Sequence, residues 1–105
     1  MEVDRYTFVL MRRGPRAAEF SEAQALELQD AHLAHLDAMA TAGKLVGAGP
    51  FSDQPDETLR GLCVYACSVE ETRALAASDP SVQAGRMAID VMTWWTPKGT
   101  VAFHG

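Results

Sequence analysis

His32 and Asp79 are the residues of this chain whose type and setting best suit proton transfer. His32 lies in the run Ala31-His32-Leu33-Ala34-His35-Leu36. At about 100° per residue, Ala25, Leu26, Leu28, His32, Leu33, Leu36, Met39 and Ala40 fall on one broad helical face. An imidazole in such a stripe needs hydrogen-bond partners. It is either a structural histidine satisfied by a carbonyl, or a general acid or base that works near neutral pH. Asp79 stands before Pro80, where a second helix stops. An Asp-Pro pair commonly initiates a turn. A carboxylate in contact with His32 would instead fix the tautomer and orientation of the ring. Residue types and spacing leave both pairs of readings open.

Other reactive side chains carry less. His35 lies at the edge of the stripe, one turn from His32, and histidines at i, i+3 can share a metal. No third ligand or carboxylate cluster accompanies them, so neither a metal nor a cofactor is expected. His104 falls in a tail and reads as solvated. Ser78 and Ser81 neighbour Asp79 in sequence, but no catalytic triad can be built on that. Cys63 and Cys67, four apart in a strand, would lie about 13 Å from one another, too far for a disulfide. They read as small buried hydrophobes in a reducing compartment. Gly47-Ala48-Gly49 lacks both GxGxxG and a following Lys-Ser/Thr, so it does not read as a nucleotide loop. Its glycines suit close approach of backbone to a strand or a ligand.

The elements that must position these groups follow from periodicity and punctuation. Tyr6 to Met11 reads as a strand, broken by Arg12-Arg13-Gly14-Pro15-Arg16. Ser21 caps a long helix, with Gln24 completing a capping box and Gly43 ending it. Leu45 to Ala48 is a short strand closed by Gly49-Pro50, and the polar run from Phe51 to Thr58 is a loop. Leu59 to Cys67 is the third strand. Ser68 caps a second helix that stops near Ser78, and Ser81 to Ala84 could add one helical turn. Met87 to Trp95 is the last strand. The order βαββαβ is that of a ferredoxin-like α+β fold, a four-stranded antiparallel sheet with two helices on one face. The reading is of one domain over residues 1–105, its core at about 6–95 and a tail at 96–105.

The strands are apolar on both faces. Met87, Ile89 and Val91 oppose Ala88, Met92 and Trp94; Leu62, Val64 and Ala66 oppose Cys63, Tyr65 and Cys67. Helices cover only one face, and a bare apolar face is an interaction site. A two-fold homodimer packed sheet on sheet, a dimeric α+β barrel, would cover it. Trp94 and Trp95 alternate, one for the core and one for the interface or the pocket wall.

Three segments in register resemble the YCII-related (YciI-like) family. They are His32-Leu33-Ala34-His35-Leu36, then Gly43-Lys44-Leu45-Val46-Gly47-Ala48-Gly49-Pro50, and then Asp79-Pro80-Ser81-Val82-Gln83-Ala84-Gly85. The likeness runs from about Tyr6 to Trp95. It implies a ferredoxin-like dimer and a His32–Asp79 dyad in a cleft lined by the Gly49-Pro50 turn. A relative in this family is implicated in dehalogenation of a hydroxylated aromatic ring. The longer first loop, Arg12 to Phe20, departs from the simplest members. It could bring Arg12 or Arg13 to the mouth of the pocket, where Arg12 would meet an acidic substrate; as solvated charges, neither needs a role.

Composition narrows the function classes. The 105 residues are 48% hydrophobic with a formal charge of −5. That balance excludes disorder, and it argues against nucleic acid, which needs a basic face. No run reaches the roughly 18 apolar residues of a membrane span, and the charged start does not read as a signal peptide, so a cytoplasmic protein is expected. Two functions remain. One is a small-molecule enzyme of lyase, isomerase or dehydrohalogenase type using the dyad. The other is a non-catalytic dimer that binds a ligand or serves a partner, because a fold of this kind hosts many functions.

Overall fold

The computed structural model describes residues 2–103, which places His104 outside the described residues. Strand β1 spans Val3–Arg13, α1 Glu22–Thr41, β2 Leu45–Pro50, β3 Leu59–Tyr65, α2 Val69–Ala77, α3 Pro80–Gln83 and β4 Met87–Pro97, with a short 3-10 turn at Ala17–Glu19 before α1. The strands form one antiparallel sheet in the order β2-β3-β1-β4. This is the expected ferredoxin-like α+β arrangement, with the third helix a single turn.

Why each helix starts where it does is legible in its caps. Ser21 accepts from the Gln24 N–H while Gln24 Oε1 accepts from the Ser21 N–H, a complete capping box. Ser68 accepts from the Glu71 N–H to start α2. Gly43 follows α1 with φ 76°, a conformation that glycine takes without strain. β1 runs on through Arg12 and Arg13 and stops before Gly14-Pro15. β1 and β4 pair over their full length, from Val3↔Pro97 to Arg13↔Met87, so both strands are longer than periodicity predicts.

Alternation sorts the sheet into two faces. Val9, Met11, Cys63, Tyr65, Met87, Ile89 and Val91 point to the helices and pack with Leu36, Met39 and Val82. Tyr6, Phe8 and Trp94 lie on the other face, where their rings meet one another at 6.2 and 6.3 Å. Phe103 folds back onto this face and meets Tyr6 edge-on at 5.0 Å, so part of the tail is packed. β3 stops at Tyr65, which leaves Cys67 beyond the strand, and both cysteines are free thiols.

The buried stripe of α1 is narrower than the sequence predicts. Leu26 and Leu33 are 63% and 52% exposed, while His32 is the helix's one fully buried residue. A helix with a single sheet face beneath it buries only the residues directly over that face; the flanking leucines overhang it. Among the described residues no helix is long and apolar enough to cross a membrane.

Candidate active site

His32 sits on the inward side of α1, 5% exposed, and Asp79 is 3% exposed just before α3. Oδ1 of Asp79 accepts from the Ser81 N–H at 2.9 Å and so caps α3, whose first residue, Pro80, needs no partner for a missing N–H. That cap turns the other oxygen toward α1, where His32 Nδ1 lies 2.5 Å from Asp79 Oδ2. A carboxylate only accepts, so Nδ1 carries the shared proton and Nε2 of the neutral ring has a free lone pair. The wholly buried Ser81 donates its hydroxyl to the Leu28 carbonyl at 3.0 Å, and this ties α3 to α1 one turn before His32.

His32 opens onto a cavity of about 560 Å³ between α1 and one end of the sheet. Gly49 and Pro50 line it, together with Met11, Leu36, Phe51 and Met87. Gln54 also lines it, held by donation from its Nε2 to the Leu59 carbonyl at 2.7 Å. Arg12 is elsewhere. It shares the far face of the sheet with Leu10, and its Nε donates to Asp90 Oδ2 at 2.7 Å. Its neighbour Arg13, with Arg60 and Arg86, lines the cavity instead.

Behind the dyad, His35, Cys63, Tyr65 and Asp79 border a void of about 10 Å³. Burial, and then the negative charge of Asp79, push the Cys63 thiol up to about 12. Tyr65 moves upward too, mainly by burial, with Cys63, Asp79 and Cys67 adding to it. Neither group therefore ionises near neutral pH. His35 Nε2 is buried without a hydrogen-bond partner. Among the described residues no group of three or more His, Cys, Asp or Glu side chains is placed to hold a metal ion.

Sequence reasoning named Arg12 and Arg13 together at the pocket mouth, and it missed two parts of this site. The choice of Arg13 over Arg12 was within reach: strand parity puts Arg13 on the face of Val9 and Met11, and Arg12 on the other. Arg60 was not, because it is the unpaired residue of a bulge between Met11↔Gly61 and Arg12↔Leu59, which no local pattern announces. The capping role of Asp79 was visible in Asp79-Pro80-Ser81, since aspartate before an N1 proline is a helix start as well as a turn.

A search of curated proteins finds no match. Among solved structures, the chain is similar to 5-chloro-2-hydroxyhydroquinone dehydrochlorinase (TftG) from Burkholderia phenoliruptrix AC1100, solved in complex with 2,5-dihydroxybenzoquinone. The TM-score is 0.62 at 20% identity, over 85% of this chain and 92% of that one. At that identity the likeness speaks for the fold alone. The model of the YCII-related domain matches residues 7–95, most of the chain. The chain belongs to the YCII-related domain family.

Proposed function

We propose that this protein is an enzyme that moves a proton on a small organic substrate, with His32 as general base and acid and Asp79 as the residue that positions it. One observation carries the reading: the buried contact of 2.5 Å between His32 Nδ1 and Asp79 Oδ2, on a histidine that also borders a 560 Å³ cavity. With Nδ1 held, Nε2 is the atom left to take a proton from substrate. The imidazolium formed then lies against the Asp79 carboxylate. Return of the proton to a different substrate atom completes an isomerisation; loss of a leaving group from the carbanion completes an elimination. One positioned histidine contributes roughly 10²–10⁴-fold to such a step. That a protein of similar fold is a dehydrochlorinase fits this class of chemistry.

The apolar far face of the sheet belongs to the same reading. Met92 is 42% exposed there, beside Phe8 and Trp94. We propose that a second copy covers this face in a homodimer. Sedimentation that gives a stable monomer at micromolar concentration would refute the dimer.

Hydrogen–deuterium exchange tests the acid–base role. Enolisable ketones and hydroxylated aromatics are incubated with the protein in D2O and followed by proton NMR. The expected result is protein-dependent exchange at one carbon, abolished in a folded His32→Ala variant. Ligands that bind without exchange in either protein would make the chain a binding module instead.

A further inference from the structure

The antiparallel topology gathers positive charge at one end of the sheet. β1 ends where β3 and β4 begin, so Arg13 at the end of β1 shares that end with Arg60 at the start of β3 and Arg86 just before β4. The Gly14 N–H donates to the Arg86 carbonyl at 2.7 Å, which fixes the two chain segments side by side. All three arginines line the cavity that His32 borders, and none of the chain's 14 acidic residues does.

This concentration is unusual for a chain of net charge −5. Among the described residues, Arg12, Arg16, Lys44 and Lys98 each have a carboxylate within 4.0 Å; Arg13, Arg60 and Arg86 have none, and of the other two cations without one, Arg5 lies over the Trp95 ring and Arg73 is exposed on α2, both outside the cavity lining. The side-chain partner of Arg86 is a neutral one, Gln29, at 3.3 Å from its Nη1. Three guanidinium groups around one concave site repel each other, and an anion between them removes that repulsion. The remaining wall, from Met11, Leu36, Phe51 and Met87, is apolar.

We propose that the cavity takes a small organic carboxylate, its anionic end held by Arg13, Arg60 and Arg86 and its apolar body against Phe51 and the methionines. A guanidinium fork matches the two oxygens of a carboxylate, and the apolar wall suits a ring. The assignment gives the substrate class of the proposed acid–base site and rests on that cavity.

Calorimetric titration of the full chain with benzoate, benzamide and phenyl phosphate tests it. Benzamide keeps the ring and removes the charge. The expected result is benzoate binding at least about tenfold tighter than benzamide, with that margin lost in Arg13→Gln and Arg60→Gln. Both side chains are exposed, so the fold should survive, and melting curves check it. Arg73→Gln removes the same charge from the exposed side of α2 and should keep benzoate affinity. Equal binding of benzoate and benzamide, no benzoate binding at millimolar concentration, or an equal loss in Arg73→Gln would overturn the proposal. Phenyl phosphate binding more tightly than benzoate would overturn the carboxylate assignment. None of these results bears on deuterium exchange at His32, so the two readings can fail separately.

Discussion

The hydroxyl of Ser81 donates to the Leu28 carbonyl at 3.0 Å, and this bond holds the segment bearing Asp79 against the helix bearing His32. Leu28 precedes His32 by one helical turn, so the tether sits beside the dyad. Ser81→Ala should lose about 1 kcal/mol of stability, the ordinary worth of one buried hydrogen bond. Urea denaturation measures that loss. A variant as stable as the parent would show that packing alone docks α3.

Asp79 does two jobs, one with each oxygen, and substitution can separate them. Asn at position 79 keeps a side-chain oxygen for the Ser81 N–H and loses the carboxylate charge beside His32. Ala loses both. Asp79→Ala should therefore melt below Asp79→Asn, by about 1 kcal/mol for the missing cap. Both should be impaired in deuterium exchange, since neither presents a carboxylate to Nδ1. Equal melting of the two would remove the capping role.

Much of this arrangement was legible in the sequence, for local reasons. Ser21 with Gln24, and Ser68 three residues before Glu71, mark helix starts wherever they fall, because the free N–H groups of a first turn need acceptors. Strand alternation from Tyr6 to Met11 gave the two faces of the sheet. The contact between His32 and Asp79 spans 47 residues, and no local pattern holds it. It came from the resemblance of three segments in register. What stayed hidden depends on register: the bulge at Arg60, and the meeting of β1's end with the starts of β3 and β4. The overhang of Leu26 and Leu33 was hidden because periodicity says which residues share a face, and says nothing of how wide the opposing surface is.

Alkaline pH should unfold this protein in a definite window. The Cys63 thiol is pushed up to about 12 in the folded chain against an ordinary value of 9.0, and Tyr65 rises above its ordinary 10.0. Both groups are neutral when protonated, so the unfolded chain ionises first. Their stabilising contribution is fully present below pH 9 and falls as pH rises from there toward 12, as the unfolded state releases protons the folded state retains. Melting temperature should be level between pH 7 and 8.5 as far as these groups go, and drop beyond 9. Cys63 should also resist a thiol reagent at pH 8 until denaturant is added.

Two glycines on neighbouring strands, Gly49 in the cavity wall and Gly61 opposite Pro50, should respond differently to the same change. A Cβ on Gly61 would lie 2.6 Å from the Gly49 carbonyl oxygen and 3.1 Å from Pro50 Cα, both backbone atoms that cannot step aside. A Cβ on Gly49 would meet nothing within 4 Å. Gly61→Ala should cost about 1–3 kcal/mol by forcing β2 and β3 apart. Gly49→Ala should be close to neutral. If thermal denaturation ranks them the other way, the pairing of Gly61 with Pro50 is wrong.

His35 is half-buried, and the fold leaves its Nε2 unsatisfied. Its Nε2 is enclosed without a partner, beside the void it shares with Tyr65 and Asp79. A buried nitrogen with no hydrogen bond carries an uncompensated desolvation cost of about 1–3 kcal/mol. Leucine at this position removes that cost and keeps apolar contact with Leu36 and the sheet. His35→Leu should therefore be as stable as the parent or more stable, by up to about 1 kcal/mol once the lost ring contacts are counted. His32→Leu makes the contrast, because it strips Asp79 of its partner and leaves a buried carboxylate unpaired, which costs several kcal/mol. Parallel urea titrations decide. If His35→Leu falls as far as His32→Leu, then Nε2 of His35 has a partner in solution, and the second histidine of the helix belongs to the polar network behind the dyad.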